Sequence, residues 1–113
     1  MKRLLSIEEI NEVISVDDAI LFYITSKNCN VCKALKPKIE KLFLKNFPKI
    51  SLYEIDIEKI PGIGSKFNIY TIPVILLFFD KKEFLRESRN VNLYSLKERV
   101  EKIYNLYFGQ EKC

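Results

Sequence analysis

The sequence predicts a single α/β domain built on a mixed central β-sheet with helices on both faces. Three observations lead there. First, apolar, β-branched and aromatic runs recur: "AILFYIT" (19–25), "SLYEIDI" (51–57) and "PVILLFF" (73–79). Each has the length of a strand, and the first and third are continuous enough to be buried on both faces. Second, segments with apolar residues at helical spacing separate these runs. Third, only a short polar turn follows the last run before another strand pattern, which makes an antiparallel hairpin. The chain has 113 residues, 48% of them hydrophobic, which suits one domain with an ordinary core.

Taken in order, "KRLL" (2–5) reads as a short first strand. Ser6 with Glu9 forms a capping box, and Ile7, Ile10, Val13 and Ile14 then share one helical face. Asp17 and Asp18 end that pattern before the 19–25 strand. From Cys29 onward Val31, Leu35, Ile39, Leu42 and Phe43 recur at helical spacing, and Lys33, Lys36, Lys38, Lys41 and Lys45 hold most other positions. Pro37 lies inside this helix, removes a backbone donor and is expected to kink it. The 51–57 strand comes next. Pro61 and Gly62 open a short helical turn ending near Asn68, ahead of the 73–79 strand. "DKK" (80–82) turns the chain into "EFLRES" (83–88). Ser95 with Glu98 reads as a second capping box; Leu96, Val100, Ile103 and Tyr107 form the last apolar stripe, and Gly109 ends it. Strands joined by helices are expected to run parallel through right-handed crossovers. No repeat, linker or low-complexity tract interrupts the pattern, so residues 1–108 form the domain and 109–113 a short tail.

Composition excludes several functions. Charged residues make up 30% and the net charge is +4, but the lysines are spread over many segments, which is not the footprint of a nucleic-acid binder. The first residues are basic, yet Glu8, Glu9 and Glu12 interrupt any apolar signal region. No apolar run reaches the length of a membrane span. Three cysteines are too few for a secreted disulfide framework. A cytoplasmic, reducing compartment is therefore the expectation, and there a Cys-x-x-Cys pair is more often catalytic or metal-binding than structural.

That pair is Cys29 and Cys32, in "SKNCNVCKALKP" (26–37). It comes after a buried strand and stands at the start of a helix. The first turn of a helix has unpaired N–H groups and the positive end of the macrodipole, so a thiolate there is stabilised and its pKa falls. Lys27 and Lys33 flank the motif and add positive potential. Cys29, at the tip, is placed to be the exposed nucleophile, and Cys32, one turn further in, the shielded resolving thiol. This asymmetry suits thiol–disulfide exchange. A closed zinc site needs four ligands, and the chain has no histidine and only one further cysteine, Cys113. Two alternatives stay open: a dimer sharing a metal or iron–sulfur site through two such pairs, and a structural pair of buried thiols. Cys113 itself reads as a mobile thiol at the chain end.

Over residues 2–108 the chain resembles thioredoxin and the thioredoxin-like proteins. Three features carry the resemblance: strand–"SKNCNVCK"–helix with Lys33 directly after the second cysteine, Pro37 five residues beyond Cys32, and "IYTIPVILLFF" (69–79) with Ile72–Pro73 opening a buried strand. "EIDIEKIPG" (54–62), with Asp56 at its strand end, is similar to the family's segment leading into the next helix. The resemblance implies a thioredoxin fold, a cis Ile72–Pro73 bond facing the cysteine pair, and a substrate groove shaped by Ile72, Pro73 and Asn28. It implies a dithiol–disulfide oxidoreductase acting in electron transport, with no organic cofactor and no metal. Its partners would be disulfide-containing proteins and an upstream disulfide reductase, with neither nucleic acid nor membrane, and the protein a monomer.

The departures from the family pattern are specific. Asn28 stands where thioredoxins usually carry Trp, and Asn30-Val31 replaces Gly-Pro between the cysteines. Tyr23 occupies the position of the family's buried Asp, and Leu52 that of its Lys partner. Deprotonation of Cys32 then falls to water, to Tyr23, to the leaving thiolate or, more remotely, to Glu54. "SRNVNLYS" (88–95) replaces a glycine-containing loop beside the substrate groove, so partner choice should differ. The resemblance to glutaredoxin is weaker, since neither Pro-Tyr between the cysteines nor a Gly-Gly stretch is present. These losses leave one alternative of another class, a redox-inactive binding or scaffold protein on the same fold.

Overall fold

The computed structural model describes residues 1–109; residues 110–113 of the short tail, Cys113 among them, lie outside them. The elements run β1 (Lys2–Leu4), α1 (Ile7–Val16), β2 (Ala19–Thr25), α2 (Asn30–Asn46), β3 (Ser51–Asp56), α3 (Ile63–Phe67), β4 (Val74–Phe79), β5 (Lys82–Glu87) and α4 (Leu93–Tyr107). The five strands form one sheet in the order β1-β3-β2-β4-β5. β1, β3 and β2 are parallel, and β4 and β5 are antiparallel to their neighbours.

Local chemistry sets the element ends. Ser6 caps α1 by accepting the Glu9 N–H at 3.1 Å, while the Glu9 carboxylate reaches back to the Leu5 N–H at 2.6 Å. The predicted box is thus formed, with its return bond one residue further out. The β4–β5 turn places Asp80 and Lys81 at φ 54° and 69°. Both central residues lie in the left-handed region, as the tightest hairpin turn requires, although neither is glycine. The Asp80 N–H donates to the Asp18 carbonyl at 2.9 Å and ties this turn to the start of β2.

Two expectations are corrected. The connection from β3 to β4 is not a parallel crossover, because β4 runs antiparallel to β2. The cause is length: α3 has five residues and rises about 7 Å, whereas a six-residue strand spans about 20 Å. α3 cannot carry the chain back along the sheet, so β4 starts at the end where β3 stopped. The second correction concerns α4. Ser95 is not its cap. Asn92 is, accepting the Ser95 N–H at 2.9 Å, and the helix starts at Leu93. Asparagine is at least as good a cap as serine, and using it adds most of a turn.

β2 is buried along its whole length, and its alternating side chains feed two cores. Ile20, Phe22 and Ile24 pack with Ile10 of α1 and Ile63 and Phe67 of α3. Ala19, Leu21 and Tyr23 pack with Cys32, Ile39 and Phe43 of α2 and Leu96 and Val100 of α4. α2 is helical from Asn30 to Asn46 with Pro37 inside it. The central strand is therefore held on both sides, and its C-terminal end is a fixed platform for the turn and the helix start that come after it.

Candidate active site

β2 ends at Thr25, a turn at Lys27 and Asn28 comes next, and α2 begins at Asn30. Cys29 is the N-cap of α2, and its sulfur accepts the Cys32 N–H at 3.1 Å. A sulfur thus does the work a serine or aspartate oxygen does at an ordinary helix start. Cys29 and Cys32 are joined in a disulfide, with Cα atoms 5.2 Å apart. Cys29 is partly exposed, whereas Cys32 is 1% exposed and belongs to the core on the α2–α4 side. When the bond is reduced, the Cys32 N–H and the helix start favour a thiolate at Cys29.

The backbone beneath the pair is pinned by Tyr23. Its hydroxyl donates to the Cys32 carbonyl at 2.6 Å from a fully buried position. Burial, with the Glu54 carboxylate nearby as a lesser cause, pushes the Tyr23 pKa well above its ordinary value. Tyr23 is therefore a neutral donor at pH 7 and does not serve as a base for Cys32.

Glu54 and Asp56 project from β3 at the positions paired with Tyr23 and Thr25 of β2. They are 7% and 3% exposed. Buried carboxylates need partners, and both have them. Glu54 meets the Lys36 ammonium at 3.0 Å and the Arg3 guanidinium at 3.4 Å, and Asp56 lies 3.9 Å from Arg3. Asp56 also accepts the Glu58 N–H at 3.0 Å. An open cavity of about 430 Å³ brings Cys32 and Lys33 together with Glu54, Asp56, Arg3, Lys27 and Lys59. The Leu52 position, paired with Leu21, contributes only to the apolar core.

The remaining sequence-predicted residues fall around this centre. The Ile72–Pro73 peptide bond is cis, and Pro73 is buried directly before β4, whose Val74 pairs with Ile24. Ile72 is partly buried and lines a second cavity of about 200 Å³ with Ser26, Glu58, Tyr70 and Thr71. Tyr70, 91% exposed, stands free at its rim. Asn28 is exposed in the turn before Cys29, and Lys27 and Lys33 are exposed on the wall of the larger cavity. Val31 is a correction: helical spacing assigned it to the apolar face of α2, but it is 37% exposed. The buried stripe of α2 runs through Cys32, Ile39 and Phe43, which leaves Val31 on its flank. Arg3, Lys36 and Lys59 were not singled out from the sequence. The available signal was the pair of carboxylates on one face of a buried strand, which demands cations from elsewhere. Among the described residues no group of three or more cysteines and carboxylates is placed to hold a metal ion, and no helix is long and apolar enough to cross a membrane.

Comparison with known proteins gives a consistent result. The thioredoxin family profile matches residues 3–102. The thioredoxin-like protein YdfQ of Bacillus subtilis is 34% identical over 110 residues, covering 97% of each chain. Thioredoxin of Buchnera aphidicola is 29% identical over 77% of this chain and 81% of its own. Among solved structures, Plasmodium falciparum thioredoxin superposes with a TM-score of 0.79 at 22% identity, covering 90% of this chain and 98% of that one. Fasciola hepatica thioredoxin superposes at 0.78 with the same identity and coverage. The fold is the thioredoxin fold, and the chain belongs to the thioredoxin family.

Proposed function

We propose that this thioredoxin-family dithiol–disulfide oxidoreductase reduces protein disulfides, with Cys29 as the attacking thiolate and Cys32 as the resolving thiol. The observation that carries the assignment is the asymmetry of the pair. Cys29 caps the helix, is partly exposed and receives an N–H bond, while Cys32 is buried.

The chemistry runs in two exchanges. The Cys29 thiolate attacks one sulfur of the substrate disulfide; that bond breaks, and the other substrate sulfur leaves as a thiolate that takes up a proton. Cys32 loses its proton and attacks the Cys29 sulfur of the mixed disulfide. The Cys29–Cys32 bond forms and the second substrate thiol departs. Two electrons have moved to the substrate, and a dithiol reductant must return them. The reduced cysteine pair carries the two electrons itself, so the reaction needs no organic cofactor. An upstream reductase, a monomeric state and a cytoplasmic site of action fit this reading.

Proton removal from Cys32 is the step for which this chain departs from its family's pattern. Tyr23 is held neutral. Glu54 borders the same cavity as Cys32, and at about 430 Å³ that cavity exceeds the roughly 30 Å³ share of a water molecule many times over. Glu54 is the group we assign to receive the Cys32 proton through it, its carboxylate held in position by Lys36 and Arg3. Ile72, Pro73 and Asn28 border the path by which a substrate segment reaches Cys29.

The test is a trap. Cys32→Ser, incubated with a disulfide-bonded model protein, is expected to accumulate a mixed disulfide through Cys29, and Cys29→Ser to accumulate none. Failure of Cys32→Ser to form any adduct would remove the oxidoreductase reading and favour a scaffold on this fold.

A further inference from the structure

The surroundings of the cysteine pair are unevenly charged. In the larger cavity the cations Arg3, Lys27, Lys33 and Lys59 outnumber the carboxylates Glu54 and Asp56, four to two. Both carboxylates are buried and paired, so the outward face of this side is positive. On the other side of α2 lies a separate groove of about 250 Å³. Its apolar floor includes Val31, Leu35, Val91 and Leu93, and it carries two cations, Lys38 and Arg89, and no carboxylate. Among the described residues Lys27, Lys33, Lys38, Lys59 and Arg89 form no ion pair. Every other arginine of the chain has a carboxylate partner. The groove starts at Val31, between the two cysteines, which leaves an apolar side chain 37% exposed beside the pair.

Unpaired cations beside an apolar floor that begins at Val31, between the two cysteines, complement one kind of ligand. We propose that this protein selects disulfides whose reacting cysteine is flanked by acidic residues, seated with an apolar side chain on Val31 and Leu35 and carboxylates facing Lys38 and Arg89. The selection rests on the oxidoreductase reading and adds the substrate class to it. Steering by charges at a rim acts mainly on the rate of encounter and is screened by salt. Discrimination therefore belongs in kcat/KM or the second-order rate constant, and it is strongest at low ionic strength. The opposite wall, with Glu58 among the residues lining the Ile72 cavity, offers no such attraction. An acidic flank is accordingly favoured on the α2–α4 side of the reacting cysteine over the Ile72 side, whose lining carries Glu58 and no cation.

The test uses the reduced full chain in single turnover against three peptides, each closed by one disulfide and differing only in carrying Glu, Gln or Lys beside a cysteine. The expected result is that the Glu peptide is reduced about tenfold faster than the Lys peptide in 20 mM salt, with the Gln peptide between, and that the spread shrinks to about twofold in 500 mM salt. K38E/R89E is expected to abolish or reverse the order. K81E/K82E, at the far end of the sheet, makes the same change in net charge and is expected to keep it. Equal rates for the three peptides, or an order that survives K38E/R89E, overturn the proposal while leaving the oxidoreductase reading intact. Reduction of none of them overturns both.

Discussion

The two faces of the sheet bury comparable amounts of side chain and do opposite things. On the α1–α3 side the buried cluster consists entirely of hydrocarbon side chains, with Phe22 meeting Phe67 and Phe78 at ring separations of 5.7 and 5.5 Å. On the α2–α4 side the same strands bury a phenol, a sulfur and, at one end, two carboxylates: Tyr23, Cys32, Glu54 and Asp56. All four sit at the C-terminal ends of β2 and β3 or at the start of α2, the end of a parallel sheet where sites usually form. One face is optimised for cohesion, and the other gives up apolar contacts to hold a reactive pair in place. Local violations of the hydrophobic pattern mark the site because each needs a partner that only the folded chain supplies.

Substitutions can separate the two roles. The largest effect is expected for Cys29→Ser, which removes the attacking sulfur and should lower turnover of a disulfide substrate by on the order of 10³-fold or more. It should leave the stability of the reduced protein little changed in urea titration. A large stability loss with residual turnover would erase the division. Phe22→Ala on the apolar face should do the reverse. It is expected to cost about 3–5 kcal/mol of unfolding free energy, read in the same titration, while the folded fraction keeps the parent's reactivity toward an alkylating agent.

Glu54→Gln probes the polar face at nearly constant volume. The expected outcome is a drop of about tenfold or more in release of the second product thiol near neutral pH, with formation of the mixed disulfide unaffected. A uniform loss across both steps would assign Glu54 to structure alone. The smallest effect concerns Tyr53, whose hydroxyl donates to the Asp17 carboxylate at 2.6 Å. Burial first, and then Asp17, push its pKa up to about 12. Its neutral form is thus favoured by folding, so the stabilisation is fully present below about pH 10 and is lost as pH rises through about 12. Tyr53→Phe should remove part of the alkaline loss of stability and nothing near pH 7 beyond the bond itself.

Most of the fold was legible because its signals are local. The strand runs, the Ser6 cap and the stripes on α2 and α4 are periodicities within one segment, and the cysteine pair announces its chemistry by spacing and by the strand before it. Of the errors, two have non-local causes and one is a local competition. The direction of β4 depended on α3 being too short to span the sheet, which apolar spacing does not reveal. The start of α4 turned on competition between two good caps, Asn92 and Ser95, three residues apart. Val31 could be placed on the correct flank of α2 only once β2 had fixed which residues face it. At the site, the pairing of Glu54 with Lys36 and Arg3, and the meeting of Lys38 with Arg89, join residues distant in sequence. Each looked like an ordinary surface or strand charge until the fold brought the others alongside.

The central claim, that Cys29 and Cys32 form a reversible two-electron couple used for reduction, is tested most directly by their redox equilibrium. A Cys113→Ser chain would be equilibrated in graded thiol buffers, alkylated and counted by mass. The account predicts one transition between two alkylated thiols and none, with a midpoint near about −270 mV. Retention of both free thiols at every potential would contradict it.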